Sequence, residues 1–199
     1  MSIPSARPIM WDIYEEHLDE AAFLFGQWEQ AMDAANYTLD DVIVGPEERL
    51  LAHLDGLVLG GTRVAERLLV PALTDDDPGK VTAATWALLQ GEDADHLDLV
   101  FDVLANVGNV GKRETRAAMA KAFNLSMRTD LPERLLPRLE KSAPAVQAVI
   151  ADVVSAQARP ADRGQPAKSE LPLETLLKTR NPELLAAALR ALRRAPDAA

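Results

Sequence analysis

The chain has 199 residues, of which 48% are hydrophobic and 26% charged, and it contains no cysteine. This composition is typical of a soluble globular protein, either one domain or a short repeat array, and it excludes a disordered chain. The lack of cysteine excludes a disulfide framework and a thiolate metal site. No apolar run of about 18 residues and no basic segment followed by an apolar one occurs, so we predict a cytoplasmic protein without a membrane span or export signal.

The charge is spread unevenly along the chain. Residues 1–110 carry 21 acidic and 5 basic side chains, a net of −16, whereas residues 111–199 carry 10 and 16, a net of +6. The overall charge of −10 argues against nucleic acid as a partner, because phosphate contacts need basic surface. The asymmetry either steers association with a charged partner or reflects chance with neutralisation inside the molecule.

The N-terminal region predicts helices joined by short breaks. Apolar residues recur at three- and four-residue steps on the first helix, at Met10, Tyr14, His17, Ala21, Leu24, Phe25, Trp28 and Met32. Thr38 and Asp41 have the spacing of a capping box, and Pro46 predicts the start of the second long helix. The apolar face of that helix is Leu50, Leu51, Leu54, Leu57 and Val58. Gly60 and Gly61 end it, and a short helix runs on to Pro71.

From residue 75 onward the pattern predicts helical hairpins, at about 78–90 with 94–107, 111–124 with 131–140, and 143–157 with 172–179. Aligning Pro78, Lys112, Pro144 and Pro182 gives spacings of 34, 32 and 38 residues. Five residues further on stand the small or apolar residues Ala83, Ala117, Val149 and Ala187. Such spacings are typical of an α-solenoid. A compact irregular bundle is the alternative.

We therefore predict an all-α protein in which an N-terminal helical cap over about 8–72 precedes a short right-handed HEAT-like solenoid over about 75–195. The corresponding regions are 1–72 and 73–199, within one continuous structural unit. The last helix, near 182–194, has no partner helix after it. Because a terminal repeat normally needs a polar outer face, we expect this helix to mediate homo-oligomerisation.

Three stretches of the first sixty residues carry a family resemblance: Glu15–Leu24 (EEHLDEAAFL), Asn36–Asp41 (NYTLDD) and Glu48–Leu57 (ERLLAHLDGL). Together they resemble an uncharacterised family of bacterial HEAT-repeat proteins. Members are often encoded beside components of type VI secretion systems, the contractile injection machines of Gram-negative bacteria. The resemblance is specific over about 15–60 and general over 78–195. It implies a HEAT-like fold and a link to secretion, and it supplies no catalytic residues.

The first predicted helix has an unusually acidic face. Asp12, Glu16 and Glu20 follow one another at four-residue steps, with Asp19 beside them. This face is a solvated surface, a docking site for a basic partner or for the basic half of another copy, or a carboxylate metal site. Like charges at this spacing weaken a helix by about 0.2–0.5 kcal/mol per pair.

Two large aromatic residues, Trp11 and Phe23, fall off the apolar stripe of the same helix. They either pack against the rest of the N-terminal region or form exposed anchors that carry interface energy. We assign Trp11 and Phe23, together with the acidic side chains, to a partner-binding surface.

Signals for catalysis or a cofactor are weak. His17 lies one turn from Glu20, but the Glu-x-x-His spacing of carboxylate-bridged iron sites is absent and the three histidines fall on different predicted helices. The segment from Gly108 to Lys112 lacks the spacing of a phosphate-binding loop and reads as a helix end capped by Gly108. We predict no enzyme activity, no metal and no cofactor.

A basic helix start at Lys112, Arg113 and Arg116 completes the candidate sites, and it suits an acidic protein surface better than nucleic acid. The expected function is a protein–protein interaction scaffold or adaptor, accessory to type VI secretion. An immunity protein that neutralises an effector is one alternative. A metal-dependent HEAT-repeat enzyme is the other.

Overall fold

The computed structural model describes residues 9–91, 93–109, 112–157 and 171–194. Over these residues the protein is all-α and contains no strand, as predicted. No helix in the described ranges is long and apolar enough to cross a membrane. The chain divides into two compact units, Met1–Gly91 and Glu92–Ala199. The first predicted hairpin, about 78–90 with 94–107, therefore has one helix in each unit.

The unit Met1–Gly91 consists of six α-helices in its described part, with two π-helical segments between some of them. Its elements are α1 (Trp11–Asp33), α2 (Leu39–Val42), a π segment (Ile43–Glu47), α3 (Glu48–Leu59), α4 (Gly61–Val64), a second π segment (Ala65–Leu69), α5 (Val70–Ala72) and α6 (Pro78–Gln90). Helix α1 packs against α3 and α6, which also contact each other. Every residue of α6 from Val81 to Leu89 is buried, so this helix forms the centre of the unit.

The apolar stripe predicted for α1 is correct in its middle and wrong at its ends. Met10 and Met32 are exposed, whereas Leu18 and Ala22 are buried. Helix α1 packs against α3 and α6, and its buried residues run from Leu18 to Ala31. The periodicity located the helix, but its packing partners decided which turns are buried.

The second long helix begins earlier than predicted. The capping box is confirmed: the Thr38 side chain accepts a hydrogen bond from the Asp41 backbone N–H, and the Thr38 N–H donates to the Asp41 carboxylate. The chain is helical from Leu39 onward, so the expected start at Pro46 is wrong. Pro46 instead lies inside the π segment, because a wider turn tolerates the missing backbone N–H of proline.

The unit Glu92–Ala199 contains the remaining helices, of which the described ones are α7 (Ala94–Asn109), α8 (Arg113–Leu125), α9 (Leu131–Leu135) with a 3₁₀ turn (Leu136–Arg138), α10 (Pro144–Gln157), α11 (Leu173–Leu176) and α12 (Pro182–Arg194). Helix α10 lies between α8 and α12 and contacts both. Helix α7 packs against α8 and α10, α9 packs against α10, and α11 packs against α12. The proline, glycine and polar residues of 159–172 predict a loop between α10 and α11, and that stretch lies mostly outside the described residues.

The aligned positions of the predicted repeats fall at helix starts. Pro78, Pro144 and Pro182 are the first residues of α6, α10 and α12, and Lys112 is the N-cap of α8. Gly108 does not cap its helix as expected: it lies in the last turn of α7, where the absent side chain leaves room for Val146 of α10. The solenoid arrangement itself stays a prediction.

Candidate functional site

Helix α1 presents a continuous exposed face built from Asp12, Glu16, Asp19 and Phe23, which we call the acidic face. At 100° per residue, these four side chains project within one narrow sector of the helix. Asp12 and Glu16 are exposed, and Phe23 is 60% exposed. Glu20 lies at the edge of this sector and is partly buried. The predicted acidic residues of α1 thus lie before an exposed aromatic side chain on the same side of the helix.

One member of the acidic face is already used inside the unit. The Asp19 Oδ1 atom lies 2.7 Å from Lys80 Nζ on α6. The hydrogen bond to the Asp19 carboxylate raises the pKa of Lys80. Asp19 therefore ties α1 to α6 although it stays exposed, and Asp12 and Glu16 are the carboxylates of the face that form no ion pair in the described part of the chain.

The second aromatic candidate, Trp11, has a different environment from Phe23. The guanidinium carbon of Arg67 lies 4.1 Å from the centroid of the Trp11 ring, in a cation–π contact. Trp11 is partly buried. The ring is covered by its own chain, so Phe23 is the better anchor of the two.

His17 contacts another histidine, and its contact is not with the carboxylates near it in sequence. Its Nδ1 atom lies 3.0 Å from Nδ1 of His53 on α3, and both side chains are partly buried. One ring must donate and the other accept, so the two histidines have opposite tautomers at these atoms. The His17 ring also lies over Gly56, where a Cβ would come 2.9 Å from Nε2. Among the described residues no group of three or more metal-ligating side chains comes together.

Unit Glu92–Ala199 carries an open groove over α8, α10 and α12, with a cavity of about 280 Å³. The groove combines small side chains with charged ones, namely Arg113, Arg116, Ala117, Ala120, Ala145, Ala148, Val149, Asp152, Glu183, Ala186 and Arg190. We call it the arginine groove. Two predicted residues, Arg113 and Arg116, belong to it, and Lys112 immediately precedes them.

Two ion pairs hold the walls of the arginine groove. Arg116 Nη2 donates to both carboxylate oxygens of Glu183, at 3.2 and 2.9 Å. Arg190 donates from Nε and Nη2 to the Asp152 carboxylate, at 2.8 and 2.5 Å, and this contact raises the pKa of Arg190. Arg116 is therefore fixed in place by Glu183. Arg113 is exposed and forms no ion pair within the described ranges.

The groove residues occupy equivalent positions on successive helices. We count positions forward from the aligned residues Lys112, Pro144 and Pro182. One residue after them stand Arg113, Ala145 and Glu183, and four residues after them stand Arg116, Ala148 and Ala186. Eight residues after them stand Ala120, Asp152 and Arg190. The sequence reading compared only the fifth position and missed this face. Comparing the first, fourth and eighth positions would have found it, because residues at three- and four-residue steps share one side of a helix.

The helices around the groove run in the same direction, since equal offsets from their N-terminal ends lie side by side. Their N-terminal ends, which carry partial positive charge, are therefore close to Arg113 and Glu183. The N-cap of α8 has no side-chain hydrogen bond to the helix N–H groups. This end of the groove favours a negatively charged group.

The fold and these two surfaces define an all-α protein with an acidic helix face in one unit and an arginine-bearing groove in the other. No protein-family model, no curated protein and no solved structure matches the chain. The family relationship expected from the three N-terminal stretches therefore stays a prediction.

Proposed function

We propose that this protein is a non-catalytic adaptor of the cytoplasm that docks a basic protein partner on the acidic face of α1. We further propose that this adaptor is accessory to type VI secretion, a role that the resemblance of residues 15–60 would imply. No catalytic step is part of the proposal, which needs only a rigid helix that displays complementary charge and apolar surface.

The observation that carries the proposal is the exposure of Phe23 on the same side of α1 as the carboxylates that precede it. Phe23 leaves most of its apolar surface in water, whereas aromatic residues that become buried contribute much of the energy of protein interfaces. Glu16 and Asp12 lie about two and three turns before it on the same side of α1. A partner with an apolar pocket beside lysine or arginine residues matches this pattern.

The experiment compares partner capture by the tagged protein and its variants in the native host. Phe23→Ala and Glu16→Lys should each lower the amount of the captured partner by about tenfold or more, because one removes the anchor and the other reverses a charge. Purification of that partner then allows direct titration by calorimetry. A partner retained at the wild-type level by both variants would refute the proposal.

Matched controls separate loss of binding from loss of structure. Leu59→Ala removes another exposed apolar side chain, 84% exposed at the end of α3, and Glu66→Lys reverses another exposed carboxylate. Both controls should capture the partner as the wild type does. If the protein is an adaptor, deletion of its gene should alter secretion. If co-expression of the protein instead rescues cells from the toxicity of a neighbouring gene product, the protein is an immunity protein.

A further inference from the structure

We infer that the arginine groove binds the acidic face of α1 from a second copy of this chain. The inference rests on the proposed role of that face as a docking surface and names a specific partner for it. The contact is heterologous: one copy contributes α1 and the other contributes α8, α10 and α12.

Charge complementarity supports this pairing. The unpaired cations at the groove are Lys112 and Arg113, which are exposed and without an ion pair in the described ranges. On the acidic face, Asp12 and Glu16 are the exposed carboxylates for which the described ranges likewise contain no ion pair, whereas the exposed Asp19 is paired with Lys80. The positive ends of the groove helices add to the attraction for a carboxylate.

The spacing along the two helices also matches. Glu16 and Phe23 are seven residues apart on α1, as are Arg113 and Ala120 on α8, which is about 10 Å in each helix. With the helices parallel, a Glu16 carboxylate over Arg113 places the Phe23 ring at the level of Ala120. In this arrangement Asp12 lies before the N-terminal end of α8, close to Lys112 and to the backbone N–H groups that no side chain caps.

The floor of the groove suits an aromatic side chain. Ala117, Ala120, Ala148 and Ala186 leave a cavity of about 280 Å³, and its larger lining residues are Val149, the two ion pairs and Arg113. The ion pairs of Arg116 and Arg190 keep these walls in place, and neither ion pair involves Arg113. A phenyl ring that enters the cavity would exchange solvent for contacts with methyl groups.

The protein contains a precedent for a helix against this position. In the unit Met1–Gly91, the residue that follows the aligned position at the start of α6 is Gly79. A Cβ at Gly79 would come 2.7 Å from the Ala22 carbonyl oxygen of α1. Helix α1 thus lies against the residue of α6 that corresponds to Arg113 in α8. It does so with its Ala22 side, and its acidic face stays exposed.

The test measures the mass of the purified full-length protein by sedimentation up to about 0.5 mM, a range that detects weak association. The wild type should form dimers or larger species, and Phe23→Ala and Arg113→Glu should each weaken the association by about tenfold or more. An equimolar mixture of these two variants should form a heterodimer. Each variant keeps the surface that the other lacks, so α1 of Arg113→Glu binds the groove of Phe23→Ala.

Two variants outside both surfaces serve as controls for this test. Met127→Ala and Lys178→Glu change exposed residues outside both surfaces and should associate as the wild type does. A wild-type protein that stays monomeric, or a mixture that forms no heterodimer, would overturn the inference. Association lost in Leu189→Ser but kept in Phe23→Ala would assign self-association to the outer face of α12 instead. A monomer that still loses its native partner on Phe23→Ala would leave the proposed function intact.

Discussion

Asp130 shows how one carboxylate organises a helix start in the unit Glu92–Ala199. It accepts hydrogen bonds from Arg128 at 2.7 and 2.9 Å and from Arg134 at 2.8 Å. These contacts, that with Arg128 above all, lower the pKa of Asp130 to about 2. Because the folded state holds the charged form more firmly than the unfolded state does, the carboxylate stabilises the fold only while it is ionised.

We predict that Asp130→Asn lowers the free energy of unfolding at neutral pH by up to about 1 kcal/mol, since the side chain is partly exposed and screened by solvent. The pKa of Asp130 is lower in the folded state, so its contribution is complete above the unfolded value of about 4 and is lost as the pH falls toward about 2. Urea unfolding from pH 7 to pH 2 measures the difference. Glu140→Gln, at an exposed carboxylate, is the control, and a difference that persists at pH 2 would contradict the explanation.

Two aromatic residues of α1 have similar sequence positions but different surroundings. Both Trp11 and Phe23 fall off the apolar stripe, so the sequence pattern does not distinguish them. The structure separates them, because Arg67 on a later helix covers the Trp11 ring while no comparable contact reduces the exposure of Phe23 below 60%. A contact between residues 56 positions apart leaves no local signal in the sequence.

At the scale of elements, two glycines of the unit Met1–Gly91 have opposite surroundings. Gly26 lies within α1 and has no atom within 4 Å of the place where a Cβ would stand. Gly56 lies within α3 directly against the His17 ring, and His53, one turn earlier on α3, contacts the same ring through Nδ1. The first glycine weakens its helix without a packing reason, and the second permits α1 and α3 to approach.

We predict that Gly26→Ala stabilises the protein by about 0.5–1 kcal/mol through helix propensity. Gly56→Ala should destabilise it by about 1 kcal/mol, since crowding against His17 outweighs the same gain in propensity. Thermal unfolding of both variants measures the contrast. In a His17→Ala background, Gly56→Ala should become neutral or stabilising; equal effects in both backgrounds would mean that His17 is not the obstacle.

Helix starts were predictable where a local capping or proline signal marks them. The capping box at Thr38 and the prolines at residues 78, 144 and 182 mark helix starts through local hydrogen bonding, and the structure confirms them. Pro46 was misread because a proline also fits inside a π turn, a geometry that depends on the helix continuing on both sides. The fit of Gly108 against Val146 depends on a neighbouring helix, so the local sequence could not show it.

At the scale of the whole molecule, the uneven charge gives the protein two kinds of surface. The −16 of residues 1–110 includes the acidic face, and the +6 of residues 111–199 includes the arginine groove. Charges of this kind act mainly on the rate and selectivity of association. Their effect on partner binding should therefore depend on ionic strength.

We predict that the affinity for the captured partner falls when salt rises from about 0.05 to about 0.5 M, because the Debye length shrinks well below 10 Å. Calorimetric titrations at several salt concentrations measure the slope. Glu16→Lys should weaken binding and flatten the salt dependence, whereas Phe23→Ala should weaken it at all salt concentrations alike. An affinity that does not change with salt would remove charge from the mechanism.

The sequence by itself determined the all-α fold, most helix starts and the exposed acidic residues of α1, because these depend on periodicity, capping and charge within a few residues. Only the tertiary structure decided which aromatic residue is open to solvent, which carboxylate is tied to Lys80, and which histidines meet. It also assembled Arg113, Arg116 and Arg190 into one groove. Each of these outcomes requires side chains from separate helices to come within a few ångströms of one another, and that proximity is set by packing rather than by local pattern.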